Sequence, residues 1–276
     1  MKFRLVACAA ALAATSSAAL AADWSDTSIS YRYSSKFSEP AIDQDIAKNI
    51  VGLTHVSGYK YGSNFFNVDI LKSDKNDPAN NSTEGAQEVY VVYNHQLSIN
   101  KTFGTKLAFG PVNDIALSTG FDLSAKNTAF APEVAKIIVG PTFKLGFAGG
   151  WMDLTAAYYR EHNNNGIVGK PVTFSPAVRL AAAWGFPFNL GPANFKFNGF
   201  LNYTGEKGKD GFGAETKPET LMDAFLMLDV GAFMDKKDTV LVGVGYEYWQ
   251  NKFGNDHETT AGCTTRAPMI KAEVHF

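Results

Sequence analysis

The stretch that decides the fold is Val-Leu-Val-Gly-Val-Gly-Tyr-Glu-Tyr-Trp, residues 240–249. Large apolar side chains occupy every second position, and Gly243, Gly245 and Glu247 stand between them. Successive side chains of a β-strand point to opposite faces of the sheet, whereas a helix repeats its faces about every 3.6 residues. A period of two therefore predicts a strand with one apolar face and one polar face.

The same alternation recurs along the chain, for example where Ile29, Tyr31 and Tyr33 alternate with polar residues. It predicts about twelve strands, near residues 26–35, 48–59, 64–73, 87–98, 113–126, 134–147, 152–162, 173–186, 194–205, 219–233, 238–252 and 265–276. Beyond the first 21 residues, no apolar run approaches the roughly 20 residues of a membrane-spanning helix. An even number of amphipathic strands is typical of a closed membrane barrel with both chain ends on one side.

The connections between these segments alternate in length. The short ones lie at 60–63, 148–151, 187–193 and 234–238, and the long polar ones at 36–47, 74–86, 161–172, 206–218 and 253–264. Outer-membrane barrels have short periplasmic turns and long outer loops, whereas a soluble β-sandwich needs no such alternation. We therefore predict an all-β protein, a 12-stranded antiparallel transmembrane β-barrel of the bacterial outer membrane. Segment 99–112 breaks the pattern and predicts a small strand at 107–109 or a periplasmic element.

The first 21 residues have the organisation of a cleaved secretory signal peptide. Lys2 and Arg4 form a basic head, an apolar stretch follows, and Ala19-Leu20-Ala21 is a small-residue cleavage site. The prediction is export, followed by one barrel domain over 22–276.

The last predicted strand ends on an aromatic residue, Phe276. Ile270, Ala272 and Val274 share its face. This looks like the terminal strand by which the barrel-insertion machinery recognises outer-membrane barrels. Phe276 is accordingly predicted to be an insertion signal, with outer-membrane lipid around the barrel and both termini in the periplasm.

Charge and cysteine content exclude several functions. Loss of Lys2 and Arg4 with the signal lowers the 25 basic residues to 23, against 27 acidic ones, so a nucleic acid is not expected as partner. Cys263 becomes the only thiol, which excludes an intramolecular disulfide and a thiolate metal cluster. The histidines lack metal-ligand spacing. No metal and no cofactor are predicted.

The inner face of the barrel is where a function would lie. A barrel of about 8 strands is filled by its own side chains, and one of 16 to 18 holds a wide channel, so twelve strands predict a narrow pore. Inward charges of both signs suit a polar solute of low net charge better than one kind of ion. Inward aromatic rings stack on a flat base or sugar, or merely fill space. The candidate substrate-binding residues of the lumen are Arg32, Asp69, Glu88, Tyr90, Asn94, Asp122, Arg179, Asn198, Phe200, Asp229, Glu247 and Trp249.

Several longer strings carry a family resemblance. They are ADWSDT at 22–27, LTHVSGYKYG at 53–62, NFFNVD at 64–69, FLNYTG at 200–205 and GYEYW at 245–249. They resemble the nucleoside-specific channel (Tsx-like) family of outer-membrane proteins, especially its vibrio-type OmpK branch. The resemblance implies a monomeric, twelve-stranded channel for nucleosides, whose surface loops serve as a receptor for phage or colicin. It supplies no short motif that fixes the nucleoside site.

Two alternatives to a channel remain open. One is a non-conducting structural or receptor barrel with a plugged lumen. The other is an outer-membrane lipid esterase, because His55 and Ser57 stand two apart on one face of a strand, the spacing of the nucleophile pair of outer-membrane phospholipase. A hydroxyl nucleophile also needs a third group that orients its base, and the sequence identifies none. We predict that the protein is not an enzyme.

Overall fold

The computed structural model describes residues 22–147 and 149–276, so the predicted signal peptide lies outside the described residues. The strands are β1 (Trp24–Phe37), β2 (Ile46–Tyr59), β3 (Gly62–Ser73), β4 (Gln87–Ser98), β5 (Val112–Lys126), β6 (Glu133–Phe147), β7 (Gly150–Asn165), β8 (Lys170–Thr173), β9 (Ala177–Leu190), β10 (Ala193–Thr204), β11 (Glu219–Asp229), β12 (Val240–Gln250) and β13 (Thr264–His275). A short helix α1 (Ile99–Phe103) and two 3-10 turns (Gly231–Met234 and Lys252–Gly254) complete the elements.

The sheet closes on itself. Each strand of the ring pairs antiparallel with its neighbours in the chain, and β1 pairs with β13 over a register that sets Ser28 opposite His275. The β6–β7 pairing joins the two remaining edges of the sheet, so twelve strands form a closed ring. Strand β8 pairs only with the last residues of β7, beyond the ring. The predicted fold class, a twelve-stranded antiparallel outer-membrane barrel, is confirmed.

The two faces of the sheet differ as the alternation predicts. In β1, Ile29, Tyr31 and Tyr33 are exposed on the outside, whereas Ser28, Ser30 and Ser34 are buried inside. Apolar side chains continue around the outer surface, for example Val51, Leu53, Ile70, Leu117, Ile137, Leu180, Val244 and Ile270. This distribution of apolar and polar side chains is the reverse of that in a soluble protein. It suits a barrel that is surrounded by membrane lipid.

The interior also contains an apolar cluster. Inward side chains from five neighbouring strands pack together on one side of the barrel: Phe37, Ile46, Ile50, Phe225, Met227, Leu241, Ala267 and Met269. Phe225 lies over Gly245 of the next strand, where an added Cβ would come within 2.2 Å of the ring. This cluster fills part of the lumen.

Three predicted segments differ from the structure. The segment predicted at 173–186 is β9 at 177–190, because the pairing is interrupted at 174–176, where Pro176 lies, and β8 remains a separate piece. The strand predicted to reach residue 233 ends at Asp229, whose carboxylate caps the following turn. Segment 99–112 holds helix α1, which begins after the N-cap Ser98 and ends at Gly104 in the left-handed conformation, as well as an isolated bridge between Phe109 and Val112.

The barrel has two unlike ends. Connections 60–61, 99–111, 148–149, 191–192 and 230–239 lie at what we call the short-turn end, and connections 38–45, 74–86, 127–132, 166–176, 205–218 and 251–263 lie at the long-loop end. Ten of the twelve ring strands have 12 to 16 residues and exceed the roughly 9–11 residues that cross a membrane, so the barrel wall projects beyond the apolar band. None of the helices in the described residues is long and apolar enough to cross a membrane.

Candidate functional site in the lumen

All twelve predicted lumen residues lie on the inner face. Residues paired across neighbouring strands share a face, and the register connects the set from strand to strand: Asp69 lies opposite Tyr90, Phe200 opposite Asp223, and Asp223 opposite Glu247. The structure therefore brings the predicted residues into one lumen. Their contact with a solute stays a prediction.

At the middle of the lumen an arginine joins two sides of the barrel. Arg32 of β1 forms an ion pair with Asp69 of β3 and places Nη1 3.2 Å from Oδ2 of Asp223 of β11. A Cβ at Gly52 would stand 2.9 Å from Oδ1 of Asp69, so a glycine at this position leaves room for that carboxylate. We call Arg32, Asp69 and Asp223 the central ion pairs.

A second network surrounds Tyr90 of β4. Its hydroxyl donates to Oδ2 of Asp122 at 3.0 Å and accepts from Nζ of Lys136 at 2.8 Å. Nη1 of Arg179 lies 3.8 Å from the same Asp122 oxygen, and its guanidinium stands 4.3 Å from the ring centroid of Tyr159. Charges of both signs are thus paired with each other within the wall.

Several buried polar atoms of the inner face have no hydrogen-bond partner among the described residues. They are Nε of Arg32, Oδ1 of Asn94, Oδ1 of Asn198 and Oδ1 of Asp223. Native proteins satisfy the large majority of buried polar atoms, because an unsatisfied one costs about 1–3 kcal/mol. They are buried in this structure, so bonding to water or to a polar solute requires neighbouring side chains to move.

At the long-loop end, lysines surround one carboxylate. Oε1 of Glu39, in connection 38–45, forms ion pairs with Lys48 of β2, Lys126 of β5 and Lys252 of connection 251–263. Burial opposes the charge on Glu39, but the three ammonium groups hold the pKa of its carboxyl well below the ordinary value. Burial lowers the pKa of Lys252, against the attraction of Glu39. We call these four residues the mouth cluster; the predicted residue Glu88 lies beside it, opposite Lys126.

A further lysine reaches inward from connection 205–218. Nζ of Lys207 lies 2.6 Å from Oε2 of Glu161, and its side chain is 1% exposed. The indole of Trp249 donates to Oε1 of Glu219 at 2.8 Å, and the Lys252 ammonium stands 4.4 Å from its ring centroid. Trp249 therefore lies with the loops at the mouth.

Asp229 is inward but occupied. Its carboxylate accepts hydrogen bonds from the backbone N–H groups of Ala232 at 3.1 Å and Asp238 at 2.8 Å. It thus stabilises a turn at the short-turn end.

Sequence reasoning missed the loop lysines and their partners. Lys48 lies between Ile46 and Ile50 on the inner face of β2. Because the inner residues of this strand are not uniformly polar, the alternation did not identify Lys48 as a candidate functional residue. Glu39, Lys207 and Lys252 lie in connections, where period two has no meaning. The charges of these three loop residues could have identified them. Each residue lies near turn-forming residues, which allow the chain to bend inward.

The residue pair behind the alternative esterase hypothesis gains no support from the geometry. His55 and Ser57 lie on the outer face near the short-turn end, and Nδ1 of His55 is bonded to Oγ1 of Thr27 at 2.8 Å. Within residues 22–147 and 149–276, no hydrogen bond joins the two side chains, and no group of three His, Cys, Asp or Glu side chains is arranged to hold a metal.

The geometry defines the class of protein as an outer-membrane β-barrel with a polar lumen. No protein-family model matches the chain, and no curated protein matches it. Membership of the nucleoside-channel family therefore stays a prediction.

Among solved structures, the chain is similar to other outer-membrane barrels. The KdgM porin matches at 10% identity over 90% of this chain and 99% of that chain, with a TM-score of 0.45. The NanC porin matches at 9% identity over 91% and 99%, with a TM-score of 0.47. The translocator domain of autotransporter NalP from Neisseria meningitidis matches at 11% identity over 96% and 92%, with a TM-score of 0.43. These values are too low to carry an argument about function.

Proposed function

We propose that the protein is an outer-membrane channel for passive, selective diffusion of nucleosides and similar small polar solutes. The observation that carries this proposal is the set of unpartnered polar atoms on the inner face at Arg32, Asn94, Asn198 and Asp223. A permanently dry, plugged lumen would leave these buried atoms unsatisfied, whereas water or a polar solute that enters as neighbouring side chains move would satisfy them.

The charge arrangement favours a solute without net charge. The central ion pairs and the Tyr90 network neutralise one another within the wall, so neither sign lines the path as a ring that would select one kind of ion. Tyr90 and Phe200 supply aromatic faces on the same inner wall, and stacking on a base contributes about 1–3 kcal/mol. The choice of nucleosides within this solute class rests on the family resemblance.

Orientation and surface role belong to the same proposal. The short-turn end, where β1 begins and β13 ends, would face the periplasm. The long loops would face the outside of the cell. Ile167 and Phe212 are exposed in the loops, where a phage or colicin could bind.

Planar-bilayer recording tests the channel. We expect single-channel conductance that adenosine blocks at lower concentration than ribose or an uncharged amino acid amide of similar size. Replacing Asn94 or Asn198 with alanine removes an unpartnered amide, so adenosine block should weaken several-fold while folding is retained. The matched control is Asn80→Ala, in an exposed loop position. If adenosine blocks the wild type and all three variants equally well, the assigned path is wrong.

A closed receptor barrel is the second candidate, favoured by the buried loop lysines at the mouth. The same recordings decide between the two. Absence of conductance from correctly folded protein under all conditions would establish the closed barrel and reject the channel.

A further inference from the structure

The mouth cluster has the composition of an anion-binding site. Three lysine ammonium groups converge on one carboxylate oxygen of Glu39, with Nζ of Lys252 at 3.2 Å and Nζ of Lys126 at 3.4 Å. All four side chains are at most 8% exposed. Ammonium groups held at fixed positions around a small acceptor are how proteins bind carboxylates and phosphates.

The carboxylate belongs to a loop, whereas two of the lysines belong to the wall. Lys48 and Lys126 stand on β2 and β5, whose pairings fix their positions. Lys126 has a second carboxylate, Asp77, at 2.7 Å. For Lys48 and Lys252, Glu39 is the one ion-pair partner within the described part of the chain. If Glu39 left, Lys48 and Lys252 would lose their ion-pair partner and keep only the more distant attraction of carboxylates such as Glu88 and Glu247. Buried ammonium groups with so little compensation attract an anion.

The loop that carries Glu39 is attached chiefly to another loop. The N–H of Ala41 donates to the carbonyl of Ala261 at 2.9 Å, and Nζ of Lys252 donates to the carbonyl of Ser38 at 2.8 Å. Gly262, in the left-handed region at φ 70°, lets the two backbones touch, since a Cβ there would stand 1.9 Å from the carbonyl oxygen of Glu39. Connections 38–45 and 251–263 therefore form one unit over the mouth, and Glu39 ties this unit to the wall.

We propose that the mouth cluster is a binding site for the carboxylate of a small organic acid, which the Glu39 side chain occupies in this structure as an internal ligand. A solute carboxylate that takes the place of Glu39 releases the loop unit from the wall and opens the mouth. The gating part of this inference rests on the proposed channel function; the binding part does not.

Glu39→Ala tests the binding part directly. The substitution removes a CH₂–COO⁻ group, which acetate replaces atom for atom. We expect the heat-unfolding temperature of the refolded variant to fall below that of the wild type, and acetate at constant ionic strength to raise it with the logarithm of its concentration. Acetamide, which has the same shape without charge, should have no effect.

Asp45→Ala is the matched control, because Asp45 lies in the same loop in an exposed pair with Lys36. Its unfolding temperature should respond equally to acetate and acetamide. Equal responses of Glu39→Ala to the two compounds would overturn the proposal and leave an ordinary structural ion pair. If Glu39→Ala fails to fold in buffer alone, refolding is repeated with acetate or acetamide present; acetate should restore folding, and equal yields with the two compounds overturn the proposal.

Bilayer recording separates this inference from the channel function. Glu39→Ala should show a conductance at least severalfold above that of the wild type, and acetate should raise the conductance of the wild type but not that of the variant. Stabilisation by acetate without conductance in any variant would retain the anion site and reject the channel. Conductance that Glu39→Ala leaves unchanged, together with acetate stabilisation, would retain the site and reject its gating role.

Discussion

The middle of the lumen and its long-loop mouth both contain buried ion pairs, but they are built differently. Arg32, Asp69 and Asp223 all stand on strands of the wall, so each partner is fixed by the register of the sheet. At the mouth, Glu39 and Lys207 reach inward from connections to meet partners on strands, and Lys252 reaches from another connection to meet Glu39. Pairs of the first kind strengthen the wall, whereas pairs of the second kind hold loops over the opening. Ion pairs therefore make the wall rigid in the middle of the lumen and close the opening at the mouth.

The largest effect expected from this difference is at the centre. Arg32→Ala leaves Asp69 and Asp223 as buried carboxylates without their shared cation, on strands that cannot relax. We expect a loss of about 3–5 kcal/mol in the free energy of unfolding, measured by urea titration in lipid vesicles. Arg160→Ala, an exposed arginine of β7, is the control and should change stability little. A loss of similar size in both variants would mean that the central ion pairs contribute nothing special.

A smaller loss of stability is expected at the mouth. Lys207→Met leaves Glu161 without its ammonium partner, but connection 205–218 can move and admit water to the carboxylate, and Tyr159 still donates to it at 2.6 Å. We expect a loss of about 1–3 kcal/mol, combined with faster proteolysis of connection 205–218. A stability loss equal to that of Arg32→Ala, with the connection still resistant to protease, would erase the distinction between the two regions.

The smallest effect is expected outside the mouth. Lys36 and Asp45 form a pair 2.5 Å apart, and both side chains are more than half exposed. Exposed pairs contribute about 0–1 kcal/mol, so Lys36→Ala should change the unfolding midpoint within that range and leave the loops protected from protease. A larger change would show that the exposed Lys36–Asp45 pair, as well as Glu39, attaches connection 38–45 to the barrel.

This division also determines what the sequence could predict. Alternation identifies the wall, so the strands and the inward positions of residues such as Arg32, Tyr90 and Asn198 follow from period two. It cannot tell which inward residues meet, because the Arg32–Asp223 contact joins residues 191 positions apart in sequence. That contact depends on the closure and curvature of the whole ring.

The connections were less predictable for a physical reason. A loop residue has no repeating direction, so Glu39 and Lys252 could point to water as easily as inward. Their inward positions follow from neighbours contributed by other strands and loops. The assignment of Asp229 to the lumen shows the converse, since its inward direction was predictable but its hydrogen bonds to the turn at 230–239 were not.

The seam between β1 and β13 has a consequence for how the molecule forms. Asp26 and His275, which meet across this seam, are 249 positions apart in sequence. Bringing such distant segments together is entropically costly and slow, and a twelve-stranded ring gains its last row of backbone hydrogen bonds only at that step. Until then both edges offer unpaired N–H and C=O groups to any other extended chain. The nascent barrel is therefore most vulnerable to aggregation immediately before completion, and its folding rate should depend more on the meeting of these two edges than on any single hairpin.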